Sequence, residues 1–141
     1  VLPLCAALGI GFVAYSPLGR GFLTGTVTSL EGLGAGDARR NMPRFERDNF
    51  TRNLALVDEL KAHAAAEGCT PAQLALAWLL ARGRHIVPIA GTSHPRWLEE
   101  NAAAADLSIS ADTLDALAQV FAPGAAAGAR YPANHLVRLG I

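Results

Sequence analysis

The chain has 141 residues, and its 12 basic and 12 acidic side chains give a formal net charge of zero. Because no net field favours an anionic partner, we expect no binding to nucleic acid or to an anionic membrane. Apolar residues make up 51% of the chain, but their runs are too short and mixed to span a bilayer. No signal-peptide pattern opens the sequence, which predicts a cytoplasmic protein with one modest domain over residues 1–141.

The first residues indicate a helix that ends at a glycine and leads into a strand. Residues 1–8 are typical of the middle or end of a helix, and Gly9 predicts its C-terminal cap. Since the chain begins inside an element, we expect it to be a fragment of a longer protein. The nearly continuous apolar run over residues 10–14 predicts a parallel strand covered on both faces.

Residues 19–49 predict a long loop, because they are rich in Gly and Arg and show no clear periodicity. A loop of this length in a compact domain is usually functional or mobile. Three of its arginines are weak candidates for pairing with a phosphate, since most loop arginines are simply solvated: Arg39, Arg40 and Arg44.

Two consecutive helices are predicted next. The first covers about residues 51–67, with an apolar stripe at Leu54, Val57, Leu60 and Ala64. Thr70 and Gln73 then have the spacing of a capping box, with Pro71 at the first helical position.

The last third of the chain predicts another strand and two more helices. The strand covers residues 86–90, one helix covers residues 95–105, and Ser110 caps the next. Residues 123–141 form a tail rich in Ala and Gly. Strands that alternate with helices are typical of a parallel α/β fold, and two strands alone cannot form a sheet covered on both faces. Partner strands are therefore expected outside this chain.

The cysteines and histidines indicate no metal site. Cys5 and Cys69 are widely separated, and we expect both to be reduced, buried thiols. No two histidines have a metal-ligand spacing, and we expect them to be surface or structural residues: His63, His85, His94 and His135.

Two turns that follow the predicted strands have the composition of a phosphate site. The second strand ends in Gly91-Thr92-Ser93, and a helix starts directly afterwards at Pro95. Unpaired amides and the positive end of a helix dipole favour an anion at such a position. A similar turn follows the first strand over residues 16–19. Two such turns suggest a nucleotide cofactor with more than one phosphate.

Around these turns the chain resembles the aldo-keto reductase family. The similarity lies in residues 9–25, 70–78, 86–92 and 98–101. It implies a fold that is the C-terminal part of an eight-stranded (β/α)8 TIM barrel, namely the last two strands with their helices, since a whole barrel needs ~250 residues. The implied function is the cofactor-binding portion of an NAD(P)H-dependent reductase that converts an aldehyde or ketone to an alcohol.

The resemblance also implies roles for individual residues. The Tyr15 ring would stack on the nicotinamide, the turn after it would contact the pyrophosphate, and the Glu100-Asn101 pair would contact the adenine. Thr92 and Ser93 would contact the adenosine 2′-phosphate of NADPH. The implied cofactor-binding set is Tyr15, Ser16, Pro17, Leu18, Gly19, Arg20, Gly91, Thr92, Ser93, Arg96, Glu100 and Asn101.

One departure from the family leaves the choice between NADPH and NADH open. Many relatives carry a basic or amide residue four positions before the Asn of the Glu-Asn pair, where this chain has Trp97. A 2′-phosphate needs a well-placed cation, and the adjacent Arg96 is the candidate to replace it.

No catalytic residue is predicted within the chain. The family's catalytic Asp, Tyr, Lys and His lie on earlier strands, whereas the single lysine here, Lys61, is predicted in a helix. Residues 128–132 resemble a terminal loop that can border the substrate pocket. The expected partners are a small carbonyl substrate in the full-length protein and the missing N-terminal half of the barrel. Two alternatives remain: a non-catalytic cofactor-sensing module, as in the family's potassium-channel β subunits, and a truncated, inactive remnant.

Overall fold

A computed structural model describes residues 1–137 of the chain. It contains six α-helices: α1 (Leu2–Ala7), α2 (Arg47–Ala66), α3 (Pro71–Leu80), α4 (Pro95–Ala103), α5 (Ala111–Val120) and α6 (Ala133–Leu136). The two strands are β1 (Phe12–Tyr15) and β2 (Ile86–Ile89). Short 3-10 segments cover Gly19–Thr24, Ala38–Asn41, Pro43–Phe45 and Ala104–Asp106. No helix within residues 1–137 is long and apolar enough to cross a membrane.

The strands β1 and β2 form a two-stranded parallel sheet. Phe12 pairs with Ile86 and Tyr15 pairs with Ile89, and the crossover between the strands runs through α2 and α3. The predicted parallel α/β order is therefore confirmed.

Within residues 1–137 only one face of the first strand is covered, and coverage of both faces stays a prediction for the sheet with its partner strands. Val13 is 57% exposed and Tyr15 is 60% exposed, whereas Ala14 between them is buried. Since successive side chains of a strand point to opposite faces, one face of β1 packs on the helices and the other is open.

The geometry of the α1 C-terminus explains why β1 begins later than predicted. Gly9 has a φ of +65° and ends the helix, as expected. The Gly9 amide donates to the Ala6 carbonyl at 3.3 Å, and the Ile10 amide donates to the Cys5 carbonyl at 2.9 Å. This is the Schellman arrangement, and it ties Ile10 to the helix rather than to the sheet.

The long loop contributes to the core despite its lack of periodicity. Phe22, Leu33 and Phe45 are buried against α2. The Phe22 ring lies 5.2 Å from the rings of both Phe45 and Phe50, in edge-to-face contacts. These contacts hold the loop against the first turns of α2, which begins four residues before the predicted start.

A second apolar cluster joins α2, α3 and α5. Its buried members are Leu60, Ala64, Leu74, Ala75 and Leu117. Of the predicted α2 stripe, Val57, Leu60 and Ala64 are buried, and Leu54 packs partly buried against the first cluster. The helical periodicity therefore predicted the packed face of α2.

Side-chain caps fix the starts of α3 and α5. Thr70 Oγ1 accepts from the Gln73 amide at 3.2 Å, and Gln73 Oε1 accepts from the Thr70 amide at 3.0 Å, which confirms the capping box. Ser110 Oγ accepts from the Thr113 amide at 3.2 Å, also as predicted. The Ser110 hydroxyl donates to Glu67 at 2.6 Å, and this hydrogen bond lowers the pKa of the Glu67 carboxyl.

A buried asparagine attaches the tail to α2. Asn53 is only 5% exposed, and its Nδ2 donates to the carbonyls of Arg44 at 3.1 Å and Ala127 at 2.9 Å. Its Oδ1 accepts from the Ala127 amide at 2.7 Å. The part of the predicted tail after residue 137 lies outside the described residues.

The two cysteines are thiols, as predicted, but each is only partly buried. Burial raises the pKa of the Cys69 thiol, so this group stays protonated at neutral pH.

Candidate functional site

A cleft of about 320 Å³ lies at the carboxyl ends of both strands. This edge of a parallel sheet is where α/β proteins bind ligands, and the volume is at the lower end of the ~300–1,000 Å³ of small-molecule sites. Both turns singled out in the sequence line it, together with α4. The lining residues are Ser16, Pro17, Leu18, Arg20, Gly21, Thr24, Thr26, Ala72, Ile89, Ala90, Gly91, Thr92, Trp97, Glu100 and Asn101.

Most of the predicted cofactor-binding set comes together in this cleft. The members that line it are Ser16, Pro17, Leu18, Arg20, Gly91, Thr92, Glu100 and Asn101. Four predicted members lie outside its lining: Tyr15, Gly19, Ser93 and Arg96. Tyr15 and Gly19 line smaller neighbouring pockets instead.

The turn after β1 holds two non-glycine residues in the left-handed region of backbone space. Ser16 has a φ of +55° and Arg20 a φ of +61°. Such residues each cost roughly 1–3 kcal/mol and cluster at functional sites. The Gly19 amide donates to the Ser16 carbonyl and the Gly21 amide to the Leu18 carbonyl, each at 3.0 Å. The turn therefore uses these two amides internally, and the Ser16 hydroxyl and the Arg20 side chain are among its donors towards a ligand.

The turn after β2 also uses some of its amides in internal hydrogen bonds. Thr92 Oγ1 accepts from the His94 amide at 3.2 Å. The amides of Trp97 and Leu98 donate to the His94 carbonyl at 3.0 and 3.2 Å, and Pro95 has no amide hydrogen. α4 has no side-chain cap, but the proline at its first position and the bonded Trp97 amide leave fewer free amides for an anion at its start. Gly91 has no positive φ, and a Cβ there would meet open space.

Glu100 connects α4 to the start of α3. Its Oε1 accepts from Thr70 Oγ1 at 2.8 Å, and its carbonyl accepts from Gln73 Nε2 at 3.2 Å. The same threonine and glutamine form the capping box of α3. Glu100 thus orients one wall of the cleft, a packing role that the spacing of the sequence did not indicate.

Trp97 lines the cleft, and Arg96 packs on its ring. The guanidinium carbon of Arg96 lies 3.8 Å from the centre of the Trp97 ring, within the range of a cation–π contact. This contact holds Arg96 beside the cleft rather than in its lining.

Sequence reasoning overlooked Thr24 and Thr26 as lining residues. Thr24 Oγ1 donates to the Gly21 carbonyl at 2.7 Å and lies 2.7 Å from Thr26 Oγ1. Thr24 belongs to the matched stretch of residues 9–25, which was the one signal available for it.

Two of the loop arginines form hydrogen bonds within the protein, although Arg40 stays exposed. Arg39 forms a bidentate pair with Asp37, at 3.0 Å from Nε to Oδ1 and 2.6 Å from Nη2 to Oδ2. These bonds lower the pKa of the Asp37 carboxyl to about 2. Arg40 donates to the carbonyls of Leu30, Leu33 and Gly34 and so shapes the loop.

Comparison with known proteins decides the family. The model of the "Aldo/keto reductase family" matches residues 1–122. The chain belongs to the aldo/keto reductase family. It is 43% identical over 132 residues to the aldo-keto reductase yakc [NADP(+)] of Schizosaccharomyces pombe, covering 94% of this chain and 39% of that protein.

A solved aldo/keto reductase has the same local fold. The glycerol dehydrogenase of Gluconobacter oxydans superposes with a TM-score of 0.77 at 26% identity, over 87% of this chain and 37% of that one. The prediction that the chain forms part of an aldo-keto reductase barrel is therefore confirmed. The chain spans well under half the length of either relative.

Within the described part of the chain, the acidic, histidine and cysteine side chains form no cluster of three. Among residues 1–137, no three of them come together as ligands for a metal ion.

Proposed function

We propose that the chain is the cofactor-binding portion of an NAD(P)H-dependent aldo-keto reductase that reduces an aldehyde or ketone to an alcohol. The observation that carries the proposal is the cleft at the carboxyl ends of β1 and β2, which gathers both turns. The name of the 43% identical relative includes NADP(+), which supports NADPH as the cofactor. NADH remains the alternative, because the cationic Arg96 packs on Trp97 and is not part of the cleft lining.

The lining of the cleft fits a dinucleotide with a pyrophosphate. Hydroxyl groups of Ser16 and Thr92 and the guanidinium of Arg20 supply hydrogen-bond donors, and Arg20 adds a positive charge. Trp97 adds a flat aromatic surface for the adenine end. A bound nicotinamide cofactor would supply the hydride that reduces the carbonyl carbon.

The residues of this chain would bind and orient the cofactor. Tyr15 is 60% exposed at the end of β1, where its ring is free to pack against the nicotinamide. Backbone hydrogen bonds close the turn from Ser16 to Arg20, so we expect little conformational entropy to be lost there on association. We place the proton donor for the carbonyl oxygen on the partner half of the barrel, where the family has its catalytic residues.

Titration of NADPH against the chain, followed by cofactor fluorescence, tests the proposal. We expect saturable binding by the wild-type chain and about tenfold weaker binding by Thr92→Val, which loses a hydroxyl donor to a charged group. Thr51→Val is the matched control, because Thr51 is exposed on α2 and its hydroxyl donates to the Arg47 carbonyl, away from the cleft lining. Absence of NADPH binding, or equal losses in both variants, would contradict the proposal.

A measurement of turnover in the complete barrel separates a reductase from a cofactor-sensing module. NADPH consumption with an aldehyde or ketone supports the reductase. Cofactor binding without turnover supports the module.

A further inference from the structure

We propose that Arg20, Arg44 and Arg130 form an anion-binding subsite beside Tyr15, and that it holds a carboxylate or phosphate group of the carbonyl substrate. The inference rests on the proposed function, because Tyr15 marks the place of the nicotinamide. It adds a substrate class, namely anionic aldehydes or ketones.

The three arginines surround one small pocket. Its volume is about 110 Å³, and its lining is Tyr15, Ser16, Gly19, Arg20, Arg44 and Arg130. The guanidinium carbon of Arg130 lies 5.8 Å from the centre of the Tyr15 ring. Tyr131 lies between two of the arginines, with its ring centre 5.0 Å from Arg20 Cζ and 5.9 Å from Arg130 Cζ. A pocket of this size suits a single oxyanion group and is too small for a dinucleotide.

The charge of this cluster is not compensated within the described residues. The ion pairs found in residues 1–137 join Arg39 to Asp37, Arg47 to Glu31 and Lys61 to Asp58, and none involves the cluster. Arg44 Nε is buried and has no hydrogen-bond partner there. Burial and the positive charges of Arg130 and Arg20 both lower the pKa of Arg44. Placing three positive charges close together is unfavourable, and a bound anion would offset their mutual repulsion. The cluster is therefore suited to bind an anion.

The fold holds two of these arginines in place through buried contacts. Asn53 binds the Arg44 carbonyl and both polar backbone groups of Ala127, three residues before Arg130. Gly128 has a φ of +85°, and a Cβ there would lie 2.7 Å from the Pro43 carbonyl oxygen. The tail is therefore pressed against the turn that carries Arg44, so the arrangement does not depend on flexible side chains alone.

The position of the pocket favours a substrate group over the cofactor pyrophosphate. The large cleft is lined by Ser16 and Arg20 but not by Tyr15, Arg44 or Arg130. Under the proposed function the carbonyl group reacts next to the nicotinamide, and hence near Tyr15. An oxyanion in the small pocket would then belong to the molecule that approaches the nicotinamide.

Isothermal titration of inorganic phosphate into the chain tests this subsite, first alone and then with saturating NADPH. Saturating NADPH fills the cleft, so phosphate that still binds occupies another site. We expect phosphate binding to persist with NADPH and to weaken about tenfold or more in Arg130→Gln. Arg130→Lys should recover most of the affinity, and Arg84→Gln, an exposed arginine remote from the pocket, should not change it.

Arg44→Gln provides a second test of the pocket. Arg130 is exposed and Arg44 is partly buried, so Arg130→Gln is the variant that is less prone to misfold. Because Arg20 lines both the cleft and the pocket, bound NADPH is expected to weaken phosphate binding but not to abolish it. Complete loss of phosphate binding at saturating NADPH would overturn the proposal and assign the cluster to the cofactor. Unchanged phosphate affinity in both variants would also overturn it. If the wild-type chain binds phosphate but not NADPH, the proposed function is contradicted. The anion-binding pocket is then supported, but its assignment to a substrate group is not.

Discussion

At the scale of single residues, Asn53 links segments that are distant in the sequence. One buried amide joins α2 to the turn before it and to the tail 74 residues later in the sequence. An Asn in the middle of a helix is usually a neutral surface residue, so the sequence offered no indication of this role.

We expect Asn53→Ala to destabilise the chain by about 1–3 kcal/mol, because it leaves buried backbone groups of Arg44 and Ala127 without partners. Urea denaturation gives the free energy of unfolding. Asn41→Ala is the control, since Asn41 is exposed. A loss for Asn53→Ala no larger than that for the control would show that the tail is not held by this residue.

The pair of Asp37 and Arg39 makes a pH-dependent contribution to stability. The pKa of Asp37 is lowered from 3.8 to about 2 in the fold, so the folded chain favours the charged carboxylate. The contribution is therefore present above pH 3.8 and is lost as the pH falls towards 2. We expect wild type to unfold at a higher temperature than Asp37→Asn at pH 6, with the difference shrinking below pH 3.8. A difference that stays constant from pH 6 to pH 2.5 would contradict this.

At the scale of elements, the starts of α3 and α5 were the most predictable features. The capping box at Thr70 and Gln73 and the cap at Ser110 depend on local hydrogen bonds, which short sequence patterns report directly. The edges of β1 were less predictable, because the apolar residues around Gly9 fit both the helix cap and the strand. The long loop has no periodic pattern, and its burial depends on three phenylalanine rings that meet only in the fold.

The Thr70 hydroxyl both caps α3 and contacts Glu100, a residue of the cleft lining. It accepts from the Gln73 amide and donates to Glu100. We expect Thr70→Ala to cost about 1–2 kcal/mol of folding free energy, and Thr70→Ser to retain most of it. Thermal unfolding of both variants checks this. Equal stability of Thr70→Ala and wild type would mean that the hydroxyl contributes nothing in either role.

At the scale of the whole molecule, the family and the local barrel topology were predictable from the sequence, since they depend on long matched stretches. Eight of the fifteen residues that line the cleft belong to the predicted cofactor-binding set, because the carboxyl ends of parallel strands converge. The division of the arginines was not predictable. Arg39 and Arg40 form hydrogen bonds with other residues of the loop, whereas Arg44 lines a pocket with Arg20 and Arg130. The pocket brings together residues that are distant in the sequence.

One face of the two-stranded sheet exposes large apolar and aromatic side chains. Val13 and Tyr15 of β1 and Val87 and Ile89 of β2 are all more than half exposed. The chain spans 39% and 37% of the two relatives described above. We propose that the rest of a barrel covers Val13, Val87 and Ile89, and that the cofactor covers Tyr15.

The central claim is that the cleft binds the nicotinamide cofactor, and NMR chemical-shift mapping of the ¹⁵N-labelled chain with NADPH tests it most directly. The account predicts that the largest shifts fall on residues 16–20 and 91–101, on both sides of the cleft. Amides of α5, which lies outside the cleft lining, serve as the internal control. Shifts confined to α5 or spread evenly over the chain would contradict the claim.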